Sequence, residues 1–297
     1  MNRVMNILVT GANGQLGTEI RRAARTAHDR YIFSDISSLP GVDTLYLDIT
    51  DRTAVSLVCE SEKVSVVVNC AAYVDVEKAE SDMAMAGLLN EGAPANLAAV
   101  CAERNAELIH ISTDYVFGGD IPRPIREDDP VSPTGVYGAT KLQGERAIQA
   151  SGCKSIIFRT SWLYSPWGKN FVKTMRTLTA QRNNLSVVFD QVGSPTSAAD
   201  LADCIVHVIE SRQLDKLGIY HFSGEGVCSW YDFACAIRDI AGNKCEIRPC
   251  HSDEYPSKVK RPNYSVLDKT MVKKTFGITI PHWYESLQKC MDQIGKL

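Results

Sequence analysis

Arg3-Val4-Met5-Asn6-Ile7-Leu8-Val9-Thr10 runs directly into Gly11-Ala12-Asn13-Gly14-Gln15-Leu16-Gly17, and the reading of this junction decides the fold. The first stretch is largely apolar and ends at glycine, the pattern of a strand covered on both faces. The second spaces its glycines G-x-x-G-x-x-G and opens a helical stretch from Thr18 to Arg25. A strand, a tight turn and a helix start gather backbone N–H groups and the positive end of a helix dipole at one point, where the negative charge of a pyrophosphate is stabilised. Gly11, Gly14 and Gly17 allow the turn and the close approach, and Gln15 and Leu16 lie at the helix start. A glycine triplet alone also makes an ordinary structural turn. The next strand, Tyr31–Ser34, ends at Asp35, near the offset of about 20 residues at which a dinucleotide site carries an acid. That carboxylate can accept hydrogen bonds from an adenosine ribose and would repel a 2′-phosphate, which favours NADH over NADPH. Its alternative use is to cap the strand end.

Outward from this junction the first half keeps alternating. Strands are expected at Thr44–Leu47, Val64–Asn69, Glu107–Ser112 and Ser155–Arg159. Helices are expected at about 51–59, 83–102 and 136–150. Repeated β-α units specify an α/β fold, a doubly wound parallel sheet of Rossmann type. Loops leaving the carboxyl edge of such a sheet carry the ligand. Asp48 and Ile49 are therefore placed near an adenine ring, and Ala71, Ala72 and Tyr73 along the far half of the dinucleotide. Beyond about residue 162 the elements shorten and Pro and Gly become frequent in the loops. The division expected is a dinucleotide-binding domain over 1–161, rejoined by about 192–223, and a smaller C-terminal α/β substrate-binding lobe over 162–297.

Composition narrows the classes further. The 297 residues are 44% apolar and 23% charged with a net charge of −3, values for a globular protein with a real core. No clustered basic face suggests nucleic acid, and no apolar run of about eighteen residues suggests a membrane span. The ten cysteines follow no C-x-x-C or zinc-ligand spacing. They read as reduced core thiols, and the first residues do not read as a signal peptide, so the expected location is cytoplasmic.

Tyr137-Gly138-Ala139-Thr140-Lys141 sets a phenol and an amine one helical turn apart, on one face. A neighbouring cation favours the phenolate and brings a tyrosine with an ordinary pKa of about 10 nearer to working pH. Such a pair arises often by chance. Here a strand ends about two dozen residues earlier in Ser112-Thr113-Asp114-Tyr115-Val116-Phe117, so that the Thr113 hydroxyl faces the same cleft and is able to hydrogen-bond a carbonyl or the tyrosine.

These residues carry a resemblance. Gly14-Gln15-Leu16-Gly17, Lys78-Ala79-Glu80-Ser81, Ser112 to Phe117, Val136 to Leu142, Phe158-Arg159-Thr160-Ser161-Trp162-Leu163-Tyr164, Asn170 to Met175 and Arg261-Pro262 resemble the extended short-chain dehydrogenase/reductase family nearly end to end. Within it they are similar to the branch that reduces 4-keto sugar nucleotides. The resemblance implies that Tyr137 protonates the C4 carbonyl oxygen while NADH or NADPH delivers hydride. It implies that Lys141 binds the nicotinamide ribose and tunes the phenol, and that Thr113 and Asp114 contact the sugar. Trp162 and Asn170 would lie against the substrate, and Arg261 would hold its diphosphate. Two other readings stand beside it: an epimerase or dehydratase on another nucleotide sugar, or a non-catalytic regulatory subunit of the methionine adenosyltransferase type. A dehydratase would want a second carboxylate after Asp114, where this chain has Tyr115. Some family members hold Mg2+ between subunits through glutamates. Glu19 fills one such position, but Ala199 fills its partner, with Asp200 adjacent, so no metal is expected, and a homodimer is left open.

Overall fold

The computed structural model describes residues 4–255, 257 and 259–296, so the expected strand start at Arg3 lies outside the described residues. The sheet is built from β1 (Asn6–Thr10), β2 (Arg30–Asp35), β3 (Leu45–Tyr46), β4 (Val66–Asn69), β5 (Glu107–Thr113), β6 (Ser155–Thr160) and a late strand, β11 (Gly218–His221). Their spatial order is β3-β2-β1-β4-β5-β6-β11, seven strands, all parallel. The order reverses direction at β1, between β2 and β4, and a parallel sheet opens its ligand crevice there. Successive side chains of each strand divide between the faces. Ile7, Val9, Val66, Val68, Ile109 and Phe158 join one core with α1 (Gln15–Ala23), while Leu8, Val67, Leu108 and Ile157 join the other with α2 (Arg52–Ser61).

Three further segments, α3 (Val76–Ala79), α4 (Met83–Gly87) and α5 (Ala93–Arg104), lead to α6 (Val136–Ala150). The single helix expected over 83–102 is interrupted. Leu88–Gly92 widens into a π turn between α4 and α5. Pro94 has no N–H to return to the carbonyl of Asn90, so the regular ladder fails there. Gly144 of α6 packs onto that carbonyl, and a Cβ at Gly144 would come within 2.1 Å of it.

After β6 come β7 (Leu163–Tyr164), α7 (Phe171–Gln181), β8 (Asn184–Val188), β9 (Val192–Gly193) and β10 (Thr196–Ser197). Next, α8 (Ala198–Glu210) packs on α1 and its Leu201, Ile205 and Val208 enter the first core, as does Tyr220 of β11. The remainder is β12 (Cys228–Ser229), α9 (Trp230–Ile240), β13 (Glu246–Cys250), α10 (Thr270–Phe276) and α11 (Trp283–Ile294). A separate core of Tyr164, Val172, Met175, Phe233, Ile237, Leu287 and their neighbours unites α7, α9 and α11. No helix among the described residues is long and apolar enough to cross a membrane.

Candidate active site

The glycine turn is held by contacts that only glycine permits. Gly11 has φ +65°, and a Cβ on it would lie 2.6 Å from the Ala71 nitrogen. Gly14 is the extended residue before α1, and its N–H closes the turn onto the Gly11 carbonyl at 3.1 Å. Leu16 and Gly17 are buried in the first turn of α1. The loop thus lies directly against the chain leaving β4, and the start of α1 faces the switch point. Asp35 is bound into this loop: its Oδ2 accepts from the Asn13 N–H at 3.0 Å and its Oδ1 from the Ser37 N–H and hydroxyl at 2.9 and 2.7 Å. Asp48 likewise takes the Thr50 N–H and hydroxyl at 2.9 and 2.7 Å, beside the buried Ile49. Ala71, Ala72 and Tyr73 are half-buried after β4. Tyr73 is fixed by Asn90 of the π turn, which accepts from its N–H at 2.9 Å and donates to its carbonyl at 3.0 Å. The backbone that would carry a dinucleotide is therefore pre-arranged, and the residues present fit one.

Across the crevice, β5 ends at Thr113. Gly138, next to Tyr137, rests on the turn that follows; a Cβ there would lie 2.2 Å from the Tyr115 carbonyl. That close seating brings Tyr137 beside Thr113, whose side chain favours the ionised form of the phenol. Burial acts the other way and pushes the phenol up to about 12, with the nearby Asp114 charge adding to the rise. Tyr115 packs edge-on against the Tyr137 ring, centroids 5.5 Å apart. Asp114 is 2% exposed, accepts from the Thr113 hydroxyl at 3.0 Å, and has an Oδ2 that no hydrogen bond reaches among the described residues. Burial raises its carboxyl to about 7, only partly offset by the Thr113 and Ser265 hydroxyls.

Lys141 does not bear on the phenol as the sequence spacing suggests. It is 2% exposed, and its Nζ is drawn onto β5, donating to the Ile111 carbonyl at 2.6 Å and lying 3.3 Å from His110 Nε2. Burial pushes it down to about 8, with Glu145 and Cys70 acting in the opposite direction. Glu145 follows Lys141 by one more turn of α6 and is gripped by Arg159 of β6 at 2.9 and 2.7 Å and by the Ser112 hydroxyl at 2.5 Å.

On the other side of the crevice Trp162 adopts φ +50° and stacks face to face on Trp230, centroids 3.6 Å apart. Such a φ is a strained conformation for a bulky residue. Asn170 caps α7 through the Lys173 N–H, and its amide donates to Gln15 at 2.8 Å, so that its polar atoms join the second lobe to the glycine loop. Arg261 is half-buried, lies 3.4 Å from Glu77, and lines a cavity of about 610 Å³ with Lys260, Trp230, Phe171 and Val187.

Comparison with known proteins gives this arrangement a family. The description "RmlD substrate binding domain" matches residues 5–295. A dTDP-4-dehydrorhamnose reductase of Aggregatibacter actinomycetemcomitans is 38% identical over 95% of this chain and 97% of its own length. That of Escherichia coli K12 is 36% identical, with 98% of each chain covered. The crystal structure of the reductase from Clostridium acetobutylicum superposes with a TM-score of 0.91 at 42% identity, covering 98% of this chain and all of the other. The chain belongs to the RmlD family of dTDP-4-dehydrorhamnose reductases. A Bacillus anthracis reductase of this family, solved in complex with NADP, superposes with a TM-score of 0.87 at 34% identity. A Thermus thermophilus UDP-glucose 4-epimerase, at 19% identity, shares the fold alone. RmlD proteins are NAD(P)H-dependent oxidoreductases.

The divalent cation associated with some RmlD-family members does not fit the residues here. Both oxygens of Glu19 are taken, by Arg22 at 2.7 Å and the Trp167 indole N–H at 2.8 Å. Ala199 offers no ligand, Asp200 accepts from Ser286 at 2.5 Å, and Lys289 and Arg22 line the same cavity of about 310 Å³. Among the described residues no cluster of three or more His, Cys, Asp or Glu is placed to hold a metal. Sequence reading missed His110, Asn90 and Glu145. Each is a polar residue buried within otherwise apolar or alanine-rich surroundings, and that was the available signal.

Proposed function

We propose that the protein reduces the C4 ketone of dTDP-4-dehydro-L-rhamnose to dTDP-L-rhamnose at the Thr113–Tyr137–Lys141 crevice. The observation that carries the reading is the seating of α6 on the turn after β5. It sets a buried phenol beside the Thr113 hydroxyl at the carboxyl edge of the sheet, across from the glycine loop, in a chain of the RmlD family. A nicotinamide dinucleotide bound along Gly11–Gly17 and Ala71–Tyr73 would supply the hydride. The protein's own residues do the rest. Thr113 and Tyr137 hold the carbonyl oxygen between two hydroxyls. Tyr137 gives it a proton, and its high pKa ensures that the proton is present at neutral pH. Lys141 steadies the nicotinamide ribose, and Asp114 holds a sugar hydroxyl. Arg261, with its planar fork, takes the diphosphate at the mouth of the larger cavity. Trp162 closes the sugar site from the second lobe.

Asp35 supports a preference for NADH, since its charge at the end of β2 disfavours a 2′-phosphate. Ten cysteines without disulfides agree with a reducing, cytoplasmic setting. Oxidation of NADH and of NADPH is followed at 340 nm with dTDP-4-dehydro-L-rhamnose and with another 4-keto nucleotide sugar, UDP-4-keto-6-deoxyglucose. Turnover of the first sugar alone, faster with NADH, is expected. Turnover restricted to the second contradicts the substrate, and a preference for NADPH contradicts the role given to Asp35.

A further inference from the structure

A line of buried polar side chains crosses the sheet beneath the crevice, from Thr10 on β1 through Asn69 on β4 and His110 on β5 to Lys141 on α6. All four are at most 2% exposed. The orientation of the Asn69 amide is fixed from one side. The Ala71 backbone N–H, which is only a donor, points at Asn69 Oδ1 at 3.1 Å, and the Thr10 hydroxyl donates to the same oxygen at 2.7 Å. The amide NH2 therefore faces His110 and donates to Nδ1, 3.1 Å away. A neutral imidazole that accepts at Nδ1 carries its proton on Nε2. Burial keeps the ring neutral by lowering its pKa well below the ordinary value. Nε2–H then points at Lys141 Nζ across 3.3 Å, while Nζ donates to the Ile111 carbonyl at 2.6 Å. Two N–H donors face to face would be an unmade contact in a dry site, which is costly. An amine lone pair removes the conflict, because it accepts from Nε2–H and leaves an N–H for Ile111.

We propose that His110 is a positioning residue that holds Lys141 on β5 and disfavours its ammonium form, through a tautomer dictated by Thr10, Asn69 and the Ala71 N–H. The groups facing Lys141 are His110 from β5, Cys70 from the loop after β4, and Glu145 on α6. Glu145 and Cys70 favour the ammonium, and the Nε2–H of His110, 3.3 Å from Nζ, opposes it. The balance places the titration of Lys141 inside the working pH range. The catalytic consequence rests on the reductase reading: Lys141 serves as a cation only below its titration point, so rate falls as pH rises through it. Removing His110 extends activity to higher pH.

The test is a 13C NMR titration of the full-length protein carrying 13Cε-labelled lysine, with the Lys141 signal assigned through Lys141→Met. The expected midpoint is about 8. His110→Leu removes the donor, and His110→Gln retains a buried amide whose oxygen can turn to the ammonium. Both should raise the midpoint by at least half a pH unit, with the alkaline limb of kcat/KM moving by the same amount. A merely structural His110 would lower thermal stability and leave both midpoints in place. A parent midpoint above 10, or no movement in either variant, overturns the proposal. Absence of turnover with the nucleotide sugar would count against the reductase reading alone, since the NMR midpoint is measured without it.

Discussion

At the scale of single residues, the crevice is a set of groups moved from their ordinary ionisation by burial. Asp114 shows the cost. Its carboxyl is raised from the ordinary carboxylate range to about 7. A group whose folded pKa lies above its unfolded value destabilises the native state as pH rises from the lower value to the higher. Asp114→Asn should therefore match the parent in thermal stability near pH 4. It should exceed it by about 4 °C or more at pH 8, as expected for a gain of one to two kcal/mol. Melting curves across that range check the prediction, and a stability difference that does not change with pH contradicts it. The sequence brings Tyr137 and Lys141 onto one face through the helical period of Y-x-x-x-K, and Thr113 to the same cleft through the strand end before it. It does not disclose which way Lys141 turns. That depends on His110 and Ile111, whose nearness to the amine exists only once α6 has packed on β5.

At the scale of elements, α6 carries most of the site, and two contacts set its position. Gly138 lets it rest on the Tyr115 carbonyl. Gly138→Ala should displace Tyr137 from Thr113 and lower kcat at least about tenfold, the order expected when a proton donor is mispositioned. Dinucleotide binding, measured by fluorescence quenching, should change far less. An unchanged kcat would show that the seating is unimportant. Further along, the Glu145–Arg159 pair is buried at both ends, 1% and 4% exposed. Breaking such a pair from one side costs about 3–5 kcal/mol. Glu145→Gln should lose that much in denaturant unfolding, and Glu145→Gln/Arg159→Met should recover a good part of it. A single variant within 1 kcal/mol of the parent would refute the assignment. The βα pattern of the first half is plain in the sequence, since β1, β2, β4, β5 and β6 each carry apolar residues between turn signals. The π turn is not, because an alanine-rich stretch with one proline reads as an uninterrupted helix until Asn90 is seen bonding to Tyr73.

At the scale of the molecule, the glycine helix α1 ties the second lobe to the parallel sheet. Gln15 accepts from Asn170 and Ser165, and Glu19 accepts from Trp167, so that the loop bearing the second lobe is fastened to the start of α1. Gln15 and Asn170 thus join the two halves of the site. Such contacts, about 150 residues apart in sequence, have no local signature, so the cap and the tie made by Asn170 are not legible from its motif. The central claim is that one phenol on α6 completes a hydride transfer to C4 of a nucleotide sugar. The most direct measurement follows deuterium from C4-deuterated NADH into the product of dTDP-4-dehydro-L-rhamnose, in the parent and in Tyr137→Phe. The account predicts label at C4 of the sugar with the parent, and a rate lower by about two or more powers of ten with the variant. Label at any other carbon, or equal rates in the two proteins, would contradict it.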